Sequence, residues 1–158
     1  RGNVDTRLRK LRGGDYEAII LAAAGLIRLQ QDGQVTEFLC PEVMLPAAGQ
    51  GALGIEIRAD DDRFRALVTS VNHSPSWTAV AAERGFMARL GAGCRVPAAA
   101  YAVVENEQVW LRALVASPEG EVIVRGERRG PADQAKALGH ALAEELLAEG
   151  AAELLGSN

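Results

Sequence analysis

The sequence predicts two mixed architectures in one chain, α/β followed by α+β. The first is the second part of a wound α/β domain. The second is a small α+β domain with a three-stranded antiparallel sheet and helices on one face. Three observations point there. A near-continuous apolar run at 16–23 lies between two short helical patterns, as expected of a parallel strand covered on both faces. Three stretches of alternating apolar and polar residues fall between 98 and 129, separated by turn residues. One helix with apolar stripes precedes that set and another follows it. A chain of 158 residues can bury a real core, as one domain or two small ones.

Residues 1–8 read as a loop entering a helix, with Asn3 as the cap, Leu8 and Leu11 on one face and Gly13-Gly14 as the stop. Free backbone N–H groups at such a start attract anions, and Arg1 and Arg7 flank it. The plain alternative is an amphipathic helix with its arginines in water. The run 16–23 then makes a buried strand, and a short helix from Ala24 puts Arg28 near that strand's carboxyl end, where ligands of open α/β sheets gather. Helix, strand and helix are too few elements for a whole wound domain, and one without its first half would expose strand edges. The chain opens on a charged segment without methionine, as a fragment would.

Residues 40–52 are punctuated by Pro41, Pro46, Gly49 and Gly51, as expected of a connection between domains. Cys40 reads as a structural residue, because nothing near it resembles a site. Residues 53–58 alternate as a strand, and a helix from about Asp61 carries Phe64, Leu67, Val68 and Val71. Ser74-Pro75 starts a helix to Leu90, with Ser74 as cap and Pro75 in the first position. Arg84 lies three, four and seven residues beyond Ala81, Val80 and Trp77, on an apolar stripe. An unpaired charge there would be costly, so a protein carboxylate or a bound ligand is expected to answer it.

The loop 91–97, Gly-Ala-Gly-Cys-Arg-Val-Pro, places Cys94 between glycines and a proline, just past Arg84 and Arg89. Nearby guanidinium groups favour the thiolate, which is the nucleophilic form. Strand patterns follow at 98–105, 108–116 and 121–129, with turns at 106–107 and 117–120. In the second, Val109, Leu111, Ala113 and Val115 form one face and Trp110, Arg112 and Leu114 the other. Gly130-Pro131 starts a last helix with Leu138, Ala141, Leu142 and Leu146 as its core stripe and Gly150 as its end. His140 falls on the wet face.

Composition narrows the function. A net charge of -4 argues against nucleic acid or an anionic membrane as the main partner. The apolar run 18–27 is too short to span a bilayer, and no secretory leader pattern is read. Cys40 and Cys94 sit in unlike contexts and suggest no disulfide framework, so a reducing cytoplasm is the default. His73 and His140 lie far apart, and no metal site is expected. Only Lys10 and Lys136 among seventeen basic residues are lysines, so most cationic positions can grip a carboxylate through two parallel hydrogen bonds.

Six stretches carry a resemblance: Arg-Gly-Asn-Val-Asp-Thr-Arg-Leu at 1–8, Ala-Ile-Ile-Leu-Ala-Ala-Ala-Gly-Leu at 18–26, Leu-Pro-Ala-Ala-Gly-Gln-Gly-Ala at 45–52, Ala-Glu-Arg at 82–84, Gly-Cys-Arg-Val-Pro at 93–97 and Trp-Leu-Arg-Ala-Leu-Val at 110–115. In this order and spacing the chain resembles the later half of the hydroxymethylbilane synthase (porphobilinogen deaminase) family of tetrapyrrole biosynthesis. The resemblance implies three regions. Residues 1–48 finish domain 2 of a periplasmic-binding-protein-like α/β pair, 49–73 are the hinge and the strand and helix returning to domain 1, and 74–158 are domain 3. It implies that Cys94 holds a dipyrromethane cofactor by a thioether. Arg1, Arg7, Arg28 and Arg84 would bind pyrrole acetates and propionates, and Gln50 and Gly51 would border the cleft. The implied reaction joins four porphobilinogen molecules, with loss of ammonia, into the linear tetrapyrrole hydroxymethylbilane. Porphobilinogen and the growing polypyrrole are the implied partners, with no need for a metal or a nucleotide.

No residue here matches the family's catalytic aspartate. Its N-terminal half would then come as a second chain, or these residues are an inactive fragment. Two other classes stay open at this point: a non-catalytic module that binds small carboxylates, and an interaction domain with a buried cysteine.

Overall fold

The computed structural model describes residues 2–91 and 97–156; Arg1 and Cys94 lie outside the described residues. The chain divides into two compact units, one ending at Leu39 and one beginning at Cys40.

In the first unit, helix α1 (Val4–Arg12) begins as its sequence demands. The Asn3 side chain accepts the Thr6 N–H at 3.0 Å, which satisfies one donor of the first turn. Leu8 is its buried residue, and Gly13 closes it. Helix α2 (Ala23–Arg28) buries Leu26. Between them the expected strand at 16–23 does not form, and Tyr16 and Ile20 are exposed. A strand exists through its ladder to a neighbour, and no described segment pairs with this one. The expected strand at 53–58 is absent for the same reason, with Leu53 82% exposed.

The second unit holds the core. Strands β1 (Ala98–Glu105), β2 (Gln108–Ala116) and β3 (Ile123–Pro131) form an antiparallel sheet in that order. Its register places Ala100 opposite Ala113 and Leu111 opposite Arg128. Val109, Leu111, Ala113 and Val115 are buried on the inner face, as the alternation predicts. Helices α4 (Ser74–Leu90) and α5 (Ala135–Leu146) cover that face and pack on each other. They cross so closely that a Cβ on Gly139 would lie 2.1 Å from the Ala82 carbonyl oxygen, and one on Gly85 2.5 Å from that of Lys136.

Several boundaries differ from expectation. Helix α3 (Asp62–Ser70) is capped by Asp61, whose carboxylate accepts the Phe64 N–H at 3.1 Å, but it buries none of its residues. The cap of α4 is His73, not Ser74: its Nδ1 accepts the Ser76 N–H at 3.4 Å. Pro75 lacks an N–H that would be unpaired anyway in a first turn, so the start can shift by a residue. Strand β3 runs to Pro131, which an edge strand tolerates, and α5 begins only at Ala135. Gly150, at φ 111°, breaks the helix before a last turn, α6 (Ala152–Gly156).

One single-residue expectation is overturned. His140 is not on a wet face: its Nε2 is buried and has no hydrogen-bond partner among the described residues. Helix α5 meets α4, β2 and β3, which cover more of its circumference than one stripe implies. Cys40 is exposed, at the start of a surface turn closed by the Val43 and Met44 N–H groups on its carbonyl, each at 3.0 Å. No helix among the described residues is long and apolar enough to cross a membrane.

Candidate functional site

In the first unit, α1 turns one exposed side toward the segment that follows it. There Arg7 donates a hydrogen bond from Nη2 to the Ile20 carbonyl at 3.2 Å. Arg7, Lys10, Tyr16, Gly2 and residues 18–20 line a cleft of about 730 Å³. Lys10 is one helical turn beyond Arg7, so the two cations share a face. Neither has a carboxylate partner among the described residues, and two unanswered like charges beside a cleft favour an anionic occupant. The remaining fork of Arg7 can take a carboxylate, and Lys10 can serve a second one. A dipyrromethane bearing acetate and propionate groups fits that donor set. Lys10 escaped sequence reasoning, although its spacing from Arg7 was legible.

The other sequence-expected residues divide. Arg28, exposed in the last turn of α2, does not line this cleft. Arg1 and Cys94 are outside the described residues. Gln50 and Gly51 line a cavity of about 280 Å³ in the second unit, with Ser76, Val80, Glu83 and Tyr101 among its walls.

Arg84 is exposed, and no carboxylate pairs with it among the described residues. Trp77 on the same stripe of α4 is 70% exposed, whereas Val80 and Ala81 are half-buried and Ala81 packs on the core. The buried charge of this helix is the residue before Arg84. Glu83 is 5% exposed and lies on the stripe of Ala82 and Phe86, packed toward α5 and the sheet. Its Oε2 accepts the Gly49 N–H at 2.7 Å and its Oε1 the Ala102 N–H at 2.9 Å. Burial pushes its carboxyl above the usual range, against the pull of those two bonds. Three-residue spacing to Phe86 was the signal that could have found it.

A second polar cluster stands on the outer sheet face. Arg112, with a side chain 14% exposed, pairs with Glu42 at 2.6 Å. Its guanidinium lies over the rings of Trp110 and Tyr101, 4.3 and 5.4 Å from their centroids. The Arg112 hydrogen bond holds the Glu42 carboxyl below its usual range, helped by the backbone and by the Cys40 thiol.

Two family models match the chain. One described as "Porphobilinogen deaminase, dipyromethane cofactor binding domain" covers residues 1–66. One described as "Porphobilinogen deaminase, C-terminal domain" covers residues 77–148.

Proposed function

Because the chain belongs to the hydroxymethylbilane synthase (porphobilinogen deaminase) family, with dipyrromethane as the cofactor of its matched domain, we propose that it forms part of the transferase that assembles hydroxymethylbilane. The substrate is porphobilinogen, four molecules of which are joined with loss of ammonia. The observation that carries this is the cleft of Arg7 and Lys10, an unpaired cationic pair inside the segment matched as cofactor-binding.

When bound, the dipyrromethane supplies the primer pyrroles. Cys94, five residues beyond Arg89 in the sequence, holds it, since a cysteine thiolate is a soft nucleophile suited to an electrophilic methylene carbon. Arg7 and Lys10 bind carboxylates of the pyrrole chain. Arg1 and Arg28 add to them in the complete enzyme, and Arg84 supplies a further cation on α4. Gln50 and Gly51 border the path of the chain.

Residues 1–48 form the later half of domain 2, 49–73 the hinge and return to domain 1, and 74–158 domain 3. The wound α/β pair is completed by an N-terminal half, in the same polypeptide or a separate chain. That half holds the aspartate that stabilises charge on the pyrrole nitrogens. A reducing cytoplasm suits a reaction that depends on a free thiol at Cys94.

The test uses the complete enzyme. It should show an intact mass larger by two pyrrole units and react with an acidic aldehyde reagent for free pyrroles. Both signals should vanish in Cys94→Ser. A Cys94→Ser protein that keeps the same thioether adduct would remove Cys94 as the tether, and a wild type without product would remove the transferase.

A further inference from the structure

We infer that Glu83 is a positioning residue of the transferase: its carboxylate holds the junction loop so that Gln50 and Gly51 stay at the cavity they line. This extends the function proposed above, because the loop matters only if that cavity borders the path of the pyrrole chain.

Three segments meet at this one side chain. Glu83 comes from α4, Gly49 from the loop between Pro46 and Ala52, and Ala102 from the middle of β1. Each carboxylate oxygen takes one backbone N–H. No lysine or arginine pairs with Glu83 among the described residues, so the two amides are its compensation for burial. Among the described residues the loop's other hydrogen bonds are internal. The Gln50 N–H binds the Ala47 carbonyl at 3.0 Å and the Ala52 N–H that of Gly49 at 3.1 Å, so neither ties the loop to the domain. Gly49 and Gly51, at φ 73° and 83°, give this loop a shape that resists side chains but does not anchor it. Ala48 packs on the core, and among the described residues the hydrogen bond that anchors the loop is that of Gly49 to Glu83.

The charge is what allows one side chain to serve two donors. A carboxylate accepts at both oxygens, whereas an amide offers one oxygen and one NH₂ group. In Glu83→Gln the NH₂ must face either the Gly49 or the Ala102 N–H, and a donor facing a donor forms no bond. Ala102 is held within β1 by the ladder to β2, whereas the loop has no ladder, so the loop is the partner that lets go. Aspartate keeps the charge but is one methylene too short to span both donors from a fixed helix.

The experiment takes the complete enzyme as wild type, Glu83→Gln, Gln50→Ala and the double variant. Intact mass confirms cofactor loading in each, amide hydrogen exchange is followed at Gly49, and kcat and KM are measured with porphobilinogen. In wild type, Gly49 should be protected. In Glu83→Gln its exchange should speed by about tenfold or more, the worth of one hydrogen bond to a charged acceptor, while β2 stays protected. KM should rise in both single variants, and the double should be no worse than the poorer of them, because both disturb one loop.

Multiplying losses in the double variant would overturn the role, as would a Glu83→Gln protein with lowered melting temperature and unchanged kcat and KM. A wild-type Gly49 amide exchanging as fast as that of Gly54 would overturn it even if the variant failed to fold. Absence of transferase activity in the wild type would end the role in chain extension by ending the function. The tether itself would still be read from Gly49 exchange, so the two failures are distinguishable.

Discussion

Arg7 commits one guanidinium nitrogen to the Ile20 carbonyl and leaves the rest of its fork facing the cleft. Its loss should therefore fall on ligand binding more than on folding. In the complete enzyme, Arg7→Leu is expected to raise KM for porphobilinogen by about 10- to 100-fold, the range of one or two hydrogen bonds to a charged group. Its melting temperature should move little, and a fallen melting point with normal turnover would count against the assignment. Glu83 and Glu42 should leave opposite marks on stability. The Glu83 carboxyl lies above its usual range in the folded chain, which therefore binds that proton more tightly than the unfolded one. Its contribution to stability falls as pH rises from the usual glutamate value toward the raised one. Glu42 lies below its usual range, so its contribution is present above the unfolded value and lost as pH falls through the lowered one. Thermal melts between about pH 4 and 7 should show a weaker decline with rising pH in Glu83→Gln than in wild type, a slope set by linkage. Arg7 was legible because a cap, an arginine pair and a glycine stop mark the helix that carries it. Glu83 was not, because a charged residue among alanines reads as a wet position until the neighbours of both faces are known.

At the scale of elements, the α4–α5 crossing decides whether the C-terminal core forms. A methyl group at Gly139 would meet the Ala82 carbonyl oxygen at 2.1 Å and the Phe86 nitrogen at 2.6 Å, both helix backbone that cannot yield without parting the helices. Gly139→Ala is expected to cost roughly 3 kcal/mol or more in urea unfolding, at the upper end for overpacking. Gly126→Ala should cost less, since its nearest contacts are the tips of Leu146 and Leu142, which can rotate away. Equal losses at the two positions would mean that the crossing is looser than its geometry. The sheet was readable because β2 has one fully buried face, and burial on one face writes a period of two into the sequence. The runs 16–23 and 53–58 carry equally good patterns and form no ladder. They find no ladder partner among the described residues, and a pattern names a face without naming what covers it.

The whole molecule puts its core into the second unit and leaves apolar side chains uncovered elsewhere. Ile20 and Ile27 are exposed in the first unit, and Leu53, Ile55, Phe64, Leu67 and Val71 in the segment before α4. Exposed apolar residues on strand-like and helical segments are what a surface covered by a partner segment would carry. With the N-terminal half proposed above, 16–23 and 53–58 would gain ladders and α3 would gain a buried face. The order of motifs suggests the domain plan proposed above, while the missing ladders of 16–23 and 53–58 among the described residues appear only when the pairing is drawn. Hydrogen exchange can test the completion directly. In the 158-residue chain alone, amides of β2 should exchange slowly and those of 16–22 and 53–58 rapidly, because exchange follows local opening. Adding the N-terminal half should protect 16–22 and 53–58 while leaving β2 as it was. If those segments are already protected in the isolated chain, the strands form without a partner. If they stay unprotected in the complex, the exposed residues serve another contact and the wound domain is not what completes them.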